Sequence, residues 1–167
     1  MNKTVALLAP LALALSACGL HPMYQGGSGG AVATTLSAVE VAPIQGQSGW
    51  LVSNALKDRL ANNGGAAAYR LEVKLDDQII GLGVRRDDSV SRERRTLRAR
   101  YQLIDLRSGQ VVLDATAGSD AGIDVVGSEY ATIAAEKSAL ERLSGIVADQ
   151  IVARLARTVR EGGARPK

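Results

Sequence analysis

Tyr69-Arg70-Leu71-Glu72-Val73-Lys74-Leu75-Asp76 alternates without a break. Its odd members are aromatic or aliphatic and its even members charged. On an extended chain the two sets point to opposite sides. Such a strand has one buried and one wet face, as in an antiparallel or mixed sheet covered by helices on one side only.

The neighbouring segments fit that frame. Thr96 to Leu106 and Gln110 to Ala117 predict a hairpin around Arg107-Ser108-Gly109. Leu97, Ala99, Tyr101 and Leu103 face inward on its first arm, and Val111, Leu113, Ala115 and Ala117 on its second. Val32 to Val41 is rich in β-branched residues and stops at Pro43, which predicts a first strand. Ser48 is placed to cap a helix from Gly49 to Asn63, with Val52, Ala55, Leu56 and Leu60 on one face and Asn62-Asn63-Gly64-Gly65 ending it. From Ser128 to Arg160 an apolar stripe (Ile133, Leu140, Leu143, Val147, Ile151, Leu155) runs at helical spacing. Gly145 is expected to bend or weaken it, at a cost of about 1 kcal/mol relative to Ala. The order β-α-β-β-β-α predicts an α+β two-layer sandwich, with two helices on one face of a four-stranded, mostly antiparallel or mixed sheet. The domain would span 31–162, with 163–167 as a tail.

Composition narrows the chemistry. The 167 residues hold one cysteine, one histidine and no phenylalanine, at a net charge of +3. One cysteine excludes an intrachain disulfide and any multi-cysteine metal cluster. The lone histidine, His21, lies near the end of the chain, poorly placed for a Ser-His-Asp triad. Gly81-Leu82-Gly83 lacks the third glycine of a dinucleotide loop, since Arg86 holds that place. Ser48, within Gly46-Gln47-Ser48-Gly49, fails the nucleophile-elbow pattern. Asp76-Asp77 and Asp87-Asp88 are adjacent pairs whose members diverge on extended backbone, so neither makes a shared acid–base or metal site. No nucleophile–base pair stands out, and the chain reads as a non-enzyme without a dissociable cofactor.

The unusual feature is the run from Arg85 to Arg100. Seven arginines (Arg85, Arg86, Arg92, Arg94, Arg95, Arg98, Arg100) stand against Asp87, Asp88 and Glu93, a net +4 in sixteen residues. On a strand Arg92, Arg94, Arg98 and Arg100 share parity, opposite to Leu97, Ala99 and Tyr101, and would form a cationic ladder on the wet face. Guanidinium engages two phosphate oxygens at once, which makes these four the candidate anion-binding residues, with Arg85, Arg86 and Arg95 secondary. Two other readings stay open: a charged face that discourages edge pairing, and a contact for acidic side chains of a partner protein.

The N-terminus supplies the compartment. Met1–Thr4 is short and basic, and Val5–Leu15 is apolar over eleven residues, about 17 Å of helix, too short to span a bilayer. It has the form of a signal peptide, residues 1–17. Leu15-Ser16-Ala17-Cys18 resembles the bacterial lipobox. The resemblance implies cleavage before Cys18, a diacylglycerol on its sulfur and an acyl chain on its amine. Gly19 in place of Asp implies export to the outer membrane, facing the periplasm, which removes nucleic acid as a partner. Residues 18–30 then form the lipidated start and a Gly-rich tether.

Cys18-Gly19-Leu20-His21-Pro22-Met23-Tyr24 resembles the start of mature LptE-family lipoproteins, particularly the alphaproteobacterial members, although the aromatic frequent at the place of Leu20 is missing. The likeness extends to length, element order, the Tyr69–Val73 strand and the long last helix. It implies an outer-membrane lipoprotein that assembles with and plugs the LptD-type β-barrel translocon and binds lipopolysaccharide during its insertion into the outer leaflet. The competing reading is a periplasmic lipoprotein that serves as a structural or tethering subunit of another envelope complex.

Overall fold

A computed structural model describes residues 30–60, 66–84 and 90–163 of the chain. Cys18 and its surrounding motif, the helix stop at Asn62–Gly65, Arg85, Arg86 and the tail from 164 lie outside the described residues. The elements are α1 (Ala31–Ser37), β1 (Val39–Val41), α2 (Gly46–Leu60), β2 (Tyr69–Val84), β3 (Val90–Asp105), β4 (Val111–Asp124) and α3 (Glu129–Gly163). The sheet order is β1-β2-β3-β4; β1 pairs parallel to β2, and the other neighbours are antiparallel. With the helices packed on one side, this is the expected α+β sandwich, preceded by one short helix.

That short helix corrects the first expected strand. Val32 and Leu36 of α1 are four residues apart, one helical turn that β-branched content disguises, and Val39 opens β1 just beyond it. All three are buried, and only Val39–Val41 pairs with β2. The other strands run further than alternation predicts. In β2 the apolar set gives way to Asp77 and Gly81 on the inner side, which breaks the pattern without breaking the ladder; pairing continues to Val84↔Val90. Likewise α2 begins at Gly46, whose φ of +82° suits glycine, so Ser48 lies within the first turn and is not the cap. The β3–β4 turn is as expected: Gly109 has φ +69°, and the Asp105 carboxylate accepts the N–H groups of Arg107 and Ser108 at 2.8 and 3.1 Å.

The core lies between the layers. Leu71, Leu97, Ala99, Tyr101 and Leu103 of the sheet meet Val52, Leu56 and Leu60 of α2 and the stripe Leu140, Leu143, Val147, Ile151 and Leu155 of α3; all are buried. Each large aliphatic side chain removed from water contributes about 1.5–3 kcal/mol. Gly145 does not interrupt α3, which runs unbroken for 35 residues. Arg59 of α2 reaches Asp149 of α3 at 2.5 Å beside that glycine, tying the two helices.

Toward the start of α3 the interlayer space turns polar. Arg95 points inward and grips Asp77 with two hydrogen bonds, 2.9 and 2.7 Å, while its Nη1 donates to the Glu136 carbonyl at 3.0 Å. Both partners of the ion pair are largely covered, so deleting one would strand the other's charge. Next to it Oε2 of Glu93 is buried with no hydrogen-bond partner among the described residues. Burial, and then the negative charge of Glu136, raise the Glu93 pKa above the ordinary glutamate value.

A raised carboxyl favours the folded state while protonated, below the unfolded value, and that advantage is lost as pH rises through the folded value. Glu93→Gln should therefore raise Tm at pH 7 and change it little near pH 4, about the ordinary carboxylate pKa; an equal shift at both pH values in thermal melts would contradict this. Gly49→Ala is expected to lower stability by about 1–3 kcal/mol. Its added Cβ would meet the Ile44 carbonyl oxygen at 2.6 Å, and this outweighs alanine's helix preference in a denaturation curve.

Candidate functional site: the helix-free face of the sheet

The even-numbered residues of β3 emerge on the face that no helix covers. Arg92, Arg94, Arg98 and Arg100 are all exposed there, while Arg95 is turned to the other side by the same alternation. One residue step thus separates four solvent-facing guanidiniums from one that holds the layers together. Asp76 and Asp77 divide the same way: Asp76 lies on the open face and accepts from Gln78 at 3.1 Å, whereas Asp77 is the inward partner of Arg95.

The ladder is not a bare cationic stripe. Register places Asp124 opposite Arg92, Asp120 opposite Thr96 and Asp114 opposite Gln102, so β4 lines one flank of the arginines with carboxylates. Arg100 makes two hydrogen bonds to Asp114, at 3.2 and 3.0 Å, and Gln102 adds a third at 2.8 Å. Arg100 first, then Gln102, hold the Asp114 carboxyl below its ordinary value. Arg92 approaches Asp124 at 3.2 Å. Two of the four arginines are therefore already neutralised. The signal was present in the sequence, since Asp114, Asp120 and Asp124 share parity, and the expected inner set of β4 (Val111, Leu113, Ala115, Ala117) already implied it; Val111 itself is exposed, because it lies beyond the register shift at Leu103 and Ile104.

Arg94 and Arg98 remain without a carboxylate partner among the described residues. They are four residues apart on one strand face, about 13 Å along the chain. Arg98 lies over Gly118: a Cβ added there would be 2.6 Å from the Arg98 Cδ, so the side chain crosses β4 only because position 118 is glycine. Beneath it is an open groove of about 580 Å³ lined by Lys74, Asp76, Arg98, Arg100, Thr116 and Gly118. Arg94 has a different setting. Its cross-strand neighbours are Gly122, which has no side chain, and Ile80, which is 47% exposed on the open face. A free guanidinium beside bare apolar surface suits a ligand that is anionic at one point and greasy at the next. Ile80 was not singled out from the sequence, because the break in alternation after Asp76 concealed which face it joins.

Among the described residues no His, Cys, Asp and Glu cluster could hold a metal ion, and no helix is long and apolar enough to cross a membrane.

Comparison with known proteins supplies the remaining context. A lipoprotein of Caulobacter crescentus superposes with a TM-score of 0.67 at 29% identity, covering 83% of this chain and all of its own. A minor lipoprotein of Acinetobacter baumannii (TM-score 0.55, 17% identity, 71% of this chain and 91% of its own) shares the fold. So does the rare lipoprotein B of Shewanella oneidensis (0.55, 13%, 74% and 99%). No curated protein matches by sequence. The family model for LptE, described as lipopolysaccharide-assembly, matches residues 36–155, which takes in every strand and most of α3. The chain belongs to the LptE lipopolysaccharide-assembly family.

Proposed function

We propose that this protein is an outer-membrane lipoprotein, anchored by acyl chains on Cys18, that assembles with and plugs an LptD-type β-barrel and binds lipopolysaccharide on the open face of its sheet. The observation that carries the binding role is the pair Arg94 and Arg98, exposed on one face and, among the described residues, unmatched by carboxylates while their neighbours Arg92 and Arg100 are matched. Lipopolysaccharide offers phosphate groups for guanidinium and acyl chains for apolar surface such as Ile80. The plugging role is supported by family membership and by the character of the open face, whose charged and hydrogen-bonding side chains suit a polar barrel lumen. The reaction is one of binding and transfer, with no covalent step.

Arg94→Glu with Arg98→Glu should weaken lipopolysaccharide binding about tenfold or more, in keeping with the loss of charge-assisted hydrogen bonds. The same reversal at Arg92 and Arg100 should do less, since those cations are already paired. Equal losses from the two double variants, measured by titration at low salt with unchanged thermal melts, would remove the special role of Arg94 and Arg98. The partner is tested separately by detergent extraction and affinity recovery of the full chain. A large outer-membrane β-barrel should co-purify, and recovery of a different envelope complex without a barrel would favour the tethering role.

A further inference from the structure

β4 closes one edge of the sheet, so every second residue along it turns its N–H and C=O away from β3. At Gly118 one side chain takes up both groups. The Gly118 N–H donates to Gln150 Oε1 at 3.0 Å, and Gln150 Nε2 donates to the Gly118 carbonyl at 3.3 Å. Gln150 of α3 thus substitutes for a residue of a neighbouring strand. Because these groups point outward, Arg98 and Gly118 form the non-hydrogen-bonded kind of cross-strand pair. In such pairs the Cα atoms approach most closely, to about 4.5 Å. At that separation a side chain on Gly118 would displace Arg98. An added Cβ would lie 2.6 Å from Arg98 Cδ, 3.1 Å from Arg98 Nη1 and 3.1 Å from the Leu97 carbonyl oxygen. Arg98 therefore lies across β4 with both its Cδ and its Nη1 over Gly118, and Gln150 lines the same open groove.

Register decides what the guanidinium has beside it. Arg100 stands opposite Thr116 and reaches past it to Asp114, two residues further along β4. The same step from Gly118 ends at Thr116, so Arg98 has a threonine at the place where Arg100 has a carboxylate. Asp76, on the β2 side of the groove, is taken up by Gln78 through two bonds of 3.1 Å. We infer that Gly118 and Gln150 are positioning residues for anion recognition by Arg98: Gly118 leaves the path across β4, Gln150 fixes the Gly118 backbone, and together they hold the guanidinium for a phosphate group in the groove beside Lys74 and Thr116. The inference rests on the lipopolysaccharide reading and deepens it. The groove is lined by charged and hydroxyl side chains, so it takes the phosphorylated sugar, while the exposed apolar surface for acyl chains lies at Ile80, across from Arg94.

Titration of the full chain in detergent with purified lipopolysaccharide, and with the same material after enzymatic removal of its phosphates, tests this. Arg98→Ala should weaken binding of the phosphorylated form about tenfold and leave the dephosphorylated form unchanged. Gly118→Ala should give a similar loss, and the two changes together should cost no more than Arg98→Ala alone, because both remove one contact. Gln150→Leu should give a smaller loss, again absent once Arg98 is alanine, and should speed hydrogen exchange at the Gly118 amide. If the added methyl unfolds the chain, Gln150→Leu with and without Arg98→Ala supplies the same cycle. A purely structural role for these residues predicts additive losses that are equal for both ligand forms, and that result overturns the inference. So does a Gly118→Ala chain that prefers the phosphorylated form as strongly as the wild type does. If Arg98→Ala binds as tightly as the wild type, the role of Arg98 in lipopolysaccharide binding falls together with the inference. If Arg98→Ala binds weakly and Gly118→Ala does not, the inference alone falls.

Discussion

A sheet whose helices all lie on one side buries most of one face and leaves the other to water, and this one-sidedness governs the rest of the molecule. Three strands of fourteen to sixteen residues present their odd members to α2 and α3 and their even members to solvent. Hydrophobic burial therefore acts on half of each strand only. The other half is free of packing constraint and can be written almost entirely in charge. The layer that stabilises the fold and the layer that meets a ligand are interleaved along the same chain, one residue out of phase.

Arginine shows the consequence within a single strand. Arg95 and its neighbours Arg94 and Arg98 have the same chemistry, yet Arg95 is committed to Asp77 and the Glu136 carbonyl, largely out of water. Arg94 and Arg98 remain available. Beside them Arg92 and Arg100 are tempered by β4 carboxylates, so the open face holds its charges mostly in balance and leaves a surplus at two points. A face of this kind attracts anions weakly at long range and selectively at contact, because opposite charges cancel beyond a Debye length, about 8 Å at physiological salt.

Much of this was legible in the amino-acid sequence. The Tyr69–Asp76 alternation identified β2, its buried face and hence the sandwich, because period-two patterning reports directly which residues face the core. The stripe from Leu140 to Leu155 did the same for α3. Three things were hidden, each for a physical reason. Val32–Leu36 is helical because its apolar residues dock at helical spacing, a tertiary demand that outranks β propensity. The distal halves of β2 and β3 break alternation because an inward ion pair replaces apolar residues there. The shared parity of Asp114, Asp120 and Asp124 puts carboxylates on the arginine face, but which arginines they meet depends on cross-strand register, which no single segment contains.

The Gln150–Gly118 contact has a further meaning for α3. A 35-residue helix with leucine, isoleucine, valine and alanine repeating along its buried stripe could slide by one turn, 5.4 Å, and still meet an apolar surface. Hydrophobic contact is tolerant of such a shift. Hydrogen bonds are not. Gln150 on the β4 edge, Asp149 against Arg59, and the Glu136 carbonyl against Arg95 anchor the helix at two places along its length, to two strands and to α2. Together they act as a vernier, through which the polar side chains fix the axial position that the apolar stripe alone would leave degenerate.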